Sequence, residues 1–357
     1  MTNMAPSSAI VPSHDGLGLA SYEVYWRDLC LYLKSRGYNL RARYQPDWEP
    51  SWKFHGVPWY KAEDYIDLPL HGARMIDATR ASDGKLVYLK AISKTSQELE
   101  LCRFFSSEEL RRDPRNHCVP LLDVVAHPTD LDTCFIVMPF LRKIDNPAFN
   151  TVMDCGEQLL EGIAFMHEHN VAHRDCAYPN VMMDATALFP KGFHPVYTGS
   201  LPDISSKAEP LSRSAVRVKY YLVDFGISTR FPSGEPPRLV LGTDGIDATV
   251  PELSKDIPYD PFKTDIYIMG PLFREAFLEK YSNVDAVASL VSSMTALDPQ
   301  SRPDASVALQ RWRAIRASMS VMQRSWRVKP RTESILGGVI RDAMSLVGAI
   351  STFKYSS

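Results

Sequence analysis

The sequence predicts an α+β protein of two lobes, a small β-rich lobe followed by a larger α-helical one. Three observations predict it. Residues 67–138 have the texture of strands, interrupted by one helical stretch. After Ile144, apolar residues recur at helical spacing. The chain has 357 residues, more than the roughly 250–300 at which a single core stops growing.

Residues 1–20 are rich in Ser, Pro and Gly and predict a disordered N-terminus. Residues 21–66 form an aromatic-rich extension in which 25–36 has helical spacing, before Pro46, Pro50 and Pro58 break regularity. These rings suit clamping the extension onto a neighbouring lobe better than stacking nucleic-acid bases, because the net charge is only −2. The small lobe spans 67–141. In it, 73–80 and 85–93 flank Ser82-Asp83-Gly84, a hairpin signal. A helix begins at Thr95 or Ser96 as cap, and 118–125 and 133–140 predict two further strands. The large lobe spans 142–318 and opens with a helix over 151–169. Its 185–218 stretch is a polar insertion, functional or disordered at that length. The tail, 319–357, carries an amphipathic helix. Arg341 and Asp342 sit inside its apolar run and argue against a membrane span.

Composition narrows the function. Hydrophobic residues make up 45% and charged residues 23%, with 40 basic against 42 acidic. No nucleic-acid partner is expected from that balance. The six cysteines form no CxxC pair and no disulfide framework, so reduced thiols in an intracellular compartment, cytoplasmic or nuclear, are expected. The N-terminus lacks the basic start and apolar run of a signal peptide.

Three motifs carry chemistry. The first is His173-Arg174-Asp175-Cys176-Ala177-Tyr178-Pro179-Asn180. Phosphoryl transfer needs a carboxylate to orient an attacking hydroxyl and oxygen ligands for magnesium; Asp175 suits the first task and Asn180 the second. The second is Tyr221-Leu222-Val223-Asp224-Phe225-Gly226, a strand delivering Asp224 to a turn, where it would hold a metal. The third is Val87-Tyr88-Leu89-Lys90, whose alternation puts Tyr88 and Lys90 on one strand face. Lys90 would contact phosphates, held by a helix glutamate. Glu98 is preferred to Glu100, because Leu101, Cys102 and Phe105 give its side of the helix an apolar face.

In this order the motifs resemble the eukaryotic protein-kinase family, from about Leu68 to Trp312, and the extension and the Cys-Ala-Tyr-Pro variant resemble kinase-like proteins of mushroom-forming fungi. The resemblance implies a two-lobed protein-kinase-like fold and a kinase using ATP and Mg²⁺ on a protein substrate, serine/threonine favoured. Asp175 would be the base, Asn180 and Asp224 the metal ligands, and Lys90 with Glu98 the phosphate clamp. Met138, Pro139, Phe140 and Leu141 would form the adenine-binding hinge, with Tyr88 above it. It further implies that Asp265 braces the catalytic loop, that Arg302 pairs with Glu252, and that Cys102, Leu121, His173 and Phe225 stack as a spine. Arg174 would read a phosphate on the segment holding Ser228, Thr229, Ser233 and Thr243.

Three departures support an alternative, a pseudokinase acting as a binding scaffold. The glycine-rich loop retains only Gly72. Tyr88 stands where the family has a small residue above adenine. No basic residue follows Asp175, where Ala177 and Pro179 stand; losing such an electrostatic contact costs about 3–4 kcal/mol. A small-molecule kinase fits less well, since Val250-Pro251-Glu252 with Arg302 is a protein-kinase feature.

Overall fold

A computed structural model describes residues 19–54, 56, 58–66, 74–213, 215–232, 238–320, 327–334 and 342. The expected glycine-loop region at 68–73, Ser233 and nearly all of the predicted tail helix lie outside the described residues. The fold is mixed α and β, and the chain divides into two compact units.

The first unit comprises residues up to Ile92, Leu122–Phe140 and Lys191–Glu209. It holds helix α1 (Ser21–Ser35) and strands β1 (Tyr38–Asn39), β2 (Met75–Arg80), β3 (Leu86–Ser93), β4 (Asp123–Ala126) and β5 (Thr133–Pro139), in sheet order β1-β2-β3-β5-β4. Antiparallel pairing joins β1 to β2, β2 to β3 and β4 to β5. Trp26, Leu29, Cys30 and Leu33 recur at helical spacing, so α1 has one apolar stripe. That stripe packs on Ile76, Val87, Leu89, Val125 and Phe135, with Trp26 and Phe135 rings 5.7 Å apart. Full burial of each such side chain stabilises by about 1.5–3 kcal/mol. The extension is therefore part of the sheet's core, as its aromatic content predicted. Buried Glu23 accepts both Arg43 Nε (2.8 Å) and Nη2 (2.9 Å), which ties α1 to the chain beyond β1.

The second unit comprises Ser93–Leu121, Leu141–Pro190 and the chain from Pro210 onward. Its helices are α2 (Gln97–Phe105), α3 (Glu108–Arg112), α4 (Met153–Glu168), α5 (Pro261–Phe273), α6 (Ala288–Met294) and α7 (Ala305–Ser318). Strands β6 (Arg142–Lys143), β8 (Val181–Asp184) and β9 (Lys219–Leu222) form one sheet. Two short antiparallel pairs join β7 (Val171–Ala172) to β10 (Thr229–Arg230), and β11 (Val240–Gly242) to β12 (Ser254–Tyr259). Ser96 caps α2 by accepting the Leu99 amide at 3.3 Å. Trp312 of α7 is fully buried, 5.2 Å from the Phe273 ring, with its indole N–H on the Met153 carbonyl at 3.1 Å.

Three sequence expectations shift. A strand over 118–125 shortens to Asp123–Ala126. Pro120 lacks an N–H, and upstream of it Cys118 and Val119 pair with Leu222 instead. Helix α2 groups with the second unit rather than with the 67–141 sheet, because Phe105 is buried against Phe225 (5.7 Å) and Phe165 (6.2 Å). The 185–218 insertion divides: 191–209 belongs to the first unit and its flanks to the second. Its order comes from side-chain anchors. His194 Nδ1 accepts the Val196 and Tyr197 amides, and its Nε2 bonds Glu63 at 3.0 Å.

Candidate active site

The site in the second unit is organised around Asp265, on α5. Asp260 caps that helix, accepting the Phe262 amide at 2.9 Å, with Pro261 preset at its start. Asp265 is fully buried. Its carboxylate accepts the His173 amide (2.8 Å), the Arg174 amide (2.6 Å) and His167 Nε2 (2.8 Å). Two consecutive amides pointed at one carboxylate bend the chain sharply, and Arg174 takes a left-handed φ of 68°. The bend presents Asp175.

Asn180 follows on a one-turn 3-10 helix, Tyr178–Asn180, whose Pro179 sets its backbone. Its amide nitrogen donates to the Asp175 carbonyl (2.9 Å) and to Asp175 Oδ2 (2.8 Å), so its carbonyl oxygen is the atom left to meet a ligand. Asp175 Oδ1 accepts the backbone amide of Ile246 at 2.7 Å. Burial raises the Asp175 pKa above the usual aspartate range, and the charge of Asp224 adds to it. The Ile246 amide, His173 and Asn180 oppose the rise.

Asp224 stands at the turn after β9, itself left-handed at φ 65°. Its Oδ1 accepts the Gly226 amide at 3.3 Å. A Cβ on Gly226 would lie 3.2 Å from Asp224 Oδ1 and 4.0 Å from Glu98 Oε2, so Asp224 and Glu98 both come close to this turn. Glu98 is buried whereas Glu100 is exposed, which separates the two candidates. Phe225 is fully buried between His173 (5.5 Å) and Phe105 (5.7 Å). Of the four expected spine residues, His173 and Phe225 are ring neighbours with planes tilted by 57°; Phe105, which the expected spine did not include, is the next ring. Arg302 donates to both oxygens of Glu252, at 2.5 and 2.8 Å. Cys176 is fully buried with its Sγ donating to the Asp265 carbonyl at 3.4 Å, and burial pushes the thiol well above its ordinary range.

The residues predicted for the phosphate clamp and the hinge, Glu98 and Leu141 apart, belong to the first unit. Tyr88 and Lys90 lie on β3 opposite Asp77 and Met75 of β2, while Val87 and Leu89 face the core. The Tyr88 ring stacks on Phe140 at 4.7 Å with planes 11° apart, and Phe140 meets Phe193 of the insertion at 5.6 Å. Burial and the charge of Asp77 push the Tyr88 hydroxyl up to about 12. Met138 and Pro139 end β5, and the Phe140 amide donates to the Leu86 carbonyl at 3.3 Å. Leu141 is buried in the second unit.

Among the described residues no group of three His, Cys, Asp or Glu side chains is placed to hold a metal. Asp224 and Asn180 supply two hard oxygen donors instead. That donor set fits magnesium, which takes one or two carboxylates and completes its shell with water and phosphate. Among the described residues no helix is long and apolar enough to cross a membrane. A scan of protein-family models finds no match to the chain, and no curated protein matches it.

Proposed function

We propose that this chain is a protein kinase that transfers the γ-phosphoryl group of ATP to a protein hydroxyl, with serine or threonine as the favoured acceptor. One observation carries the reading. Asp265 clamps two successive amides so that Asp175 projects from a left-handed bend, with its carboxylate held by Asn180. That is a positioned proton acceptor next to hard oxygen donors, the arrangement phosphoryl transfer needs. Bound Mg·ATP supplies the phosphoryl group and the charge that neutralises it. Asn180 and Asp224 would hold the metal, and Lys90 would hold the phosphates. Asp175 would orient the acceptor hydroxyl and take its proton.

The test is incorporation of labelled phosphate from Mg·ATP into the protein itself or into a panel of hydroxyl-bearing peptides. Asp224→Asn should abolish it; transfer at the wild-type rate in that variant rules the reading out.

A second reading, a non-catalytic scaffold, is favoured by the packing of Tyr88 on Phe140 and of Phe140 on Phe193, which fills with rings the region that the kinase resemblance would assign to adenine. It expects no thermal shift with Mg·ATP in the wild type and a shift in Tyr88→Ala. The kinase reading expects a shift in both.

A further inference from the structure

The Asp175 carboxylate has two oxygens and about four acceptor positions. Two are taken by donors of this chain, Asn180 on Oδ2 and the Ile246 amide on Oδ1. Ile246 comes from a turn that the catalytic-loop motif does not include. Its side chain is 53% exposed, so packing of the isoleucine does not explain where its backbone sits. The turn is pinned on both sides. Before it, the Leu241 carbonyl accepts Arg174 Nη2 at 3.2 Å, and the Gly242 carbonyl accepts the Tyr259 hydroxyl at 2.9 Å. After it, Asp247 accepts the Thr249 amide and hydroxyl at 2.9 and 2.6 Å. Between these anchors Gly245 has φ +127°. A Cβ there would lie 3.4 Å from both the Arg174 carbonyl and Asp175 Oδ1. Glycine permits that backbone angle, while the surrounding atoms would meet a Cβ only at ordinary contact distance.

Resting on the phosphotransfer reading, we propose that the Ile246 backbone amide, presented by the left-handed Gly245, is a positioning group for Asp175: with Asn180 it holds the carboxylate by both oxygens and leaves the remaining acceptor positions for the substrate hydroxyl. The Ile246 amide is a fixed backbone dipole, held by the turn rather than by a side chain. Such a donor costs no reorganisation when the acceptor arrives.

Two measurements on the full chain test this. The first is amide hydrogen exchange at Ile246, read by NMR, in wild type and Asp175→Ala. Removing the acceptor should speed exchange about tenfold or more, as loss of a bond to a charged group implies. Unchanged exchange overturns the proposal. The second is steady-state transfer. Ile246→Pro removes the N–H, whereas Ile246→Ala keeps it. The proline variant should lose at least about tenfold more kcat than the alanine variant, with KM for ATP the same in both. Gly245→Ala keeps the N–H but strains the turn at φ +127°, so its kcat should fall below that of Ile246→Ala; this comparison decides if Ile246→Pro does not fold, and equal kcat for Gly245→Ala and Ile246→Ala then overturns the positioning role. Equal kcat for the proline and alanine variants in an active protein overturns the positioning role alone. A wild type that transfers no phosphate overturns the phosphotransfer reading and this role with it, while the exchange result still decides whether Ile246 holds Asp175.

Discussion

Removing the carboxylate of Glu252 should destabilise the second unit more than any surface change, because of where Arg302 sits. The Arg302 side chain is fully buried and all its N–H groups have partners. Nε donates to the Ala296 carbonyl (2.8 Å), Nη1 to Glu252 and the Lys263 carbonyl (3.0 Å), and Nη2 to Glu252 and the Leu297 carbonyl (3.5 Å). The guanidinium lies 4.7 Å from the Tyr267 ring centre. In Glu252→Ala two charge-assisted bonds vanish and a buried cation loses its counter-charge. Breaking a buried pair this way costs about 3–5 kcal/mol. Three carbonyls and a ring still face the guanidinium, which puts the loss near the lower end, about 3 kcal/mol. For a unit of this size each kcal/mol lowers the melting temperature by about 2–4 °C, so the expected drop is about 6–12 °C. Thermal unfolding followed by near-UV circular dichroism measures it. The double variant Glu252→Ala with Arg302→Met removes the stranded charge and should recover much of the loss. A single variant within about 1 kcal/mol of wild type, or a double variant less stable than the single, would refute the argument.

Two further outcomes follow from packing and charge. Gly156 lies on α4 against Trp312, and a Cβ there would run into the indole ring. Gly156→Ala gains about 1 kcal/mol of helix propensity but overpacks a core, which costs about 1–3 kcal/mol; a net loss in chemical denaturation is expected, and a gain would show that α7 yields freely. In the first unit Asp64 accepts the Trp48 indole (2.9 Å), the Ser51 amide (2.8 Å) and the Ser51 hydroxyl (2.6 Å). Burial raises its pKa, but these donors outweigh it and the net shift is below the ordinary 3.8. A depressed folded-state pKa gives stability that is present above 3.8 and lost as pH falls through the lower value. Acid unfolding followed by tryptophan fluorescence should therefore be shallower in Asp64→Asn, and identical acid limbs would contradict the bonding.

Much of the local structure was legible because it follows periodicity. The stripe of Trp26, Leu29, Cys30 and Leu33 announces α1, and the Ser82-Asp83-Gly84 turn announces the β2–β3 hairpin. Glu98 could be preferred to Glu100 because its apolar neighbours put it on the buried side of α2. The spacing from His173 to Asn180 singled out Asp175 and Asn180, and these two side chains do meet, Asn180 donating to Asp175 at 2.8 Å.

What was not legible depends on contacts between distant segments. Phe105 joins Phe225 through ring packing that no spacing rule encodes, and that same contact groups α2 with the second unit. The Ile246 amide carries no residue signature, since every residue but proline has one; only Gly245 marks the turn, and glycines mark many turns. Tyr88 shows the limit most sharply. Alternation assigns its face on β3 correctly, yet the direction of its ring is decided by Phe140, fifty-two positions later, and by Phe193 within the insertion. A side chain's face belongs to its own strand, but its final rotamer belongs to its neighbours. How Tyr88 presents its ring on β3 is thus a property of three separate segments, which is why Tyr88→Ala tests more than one position.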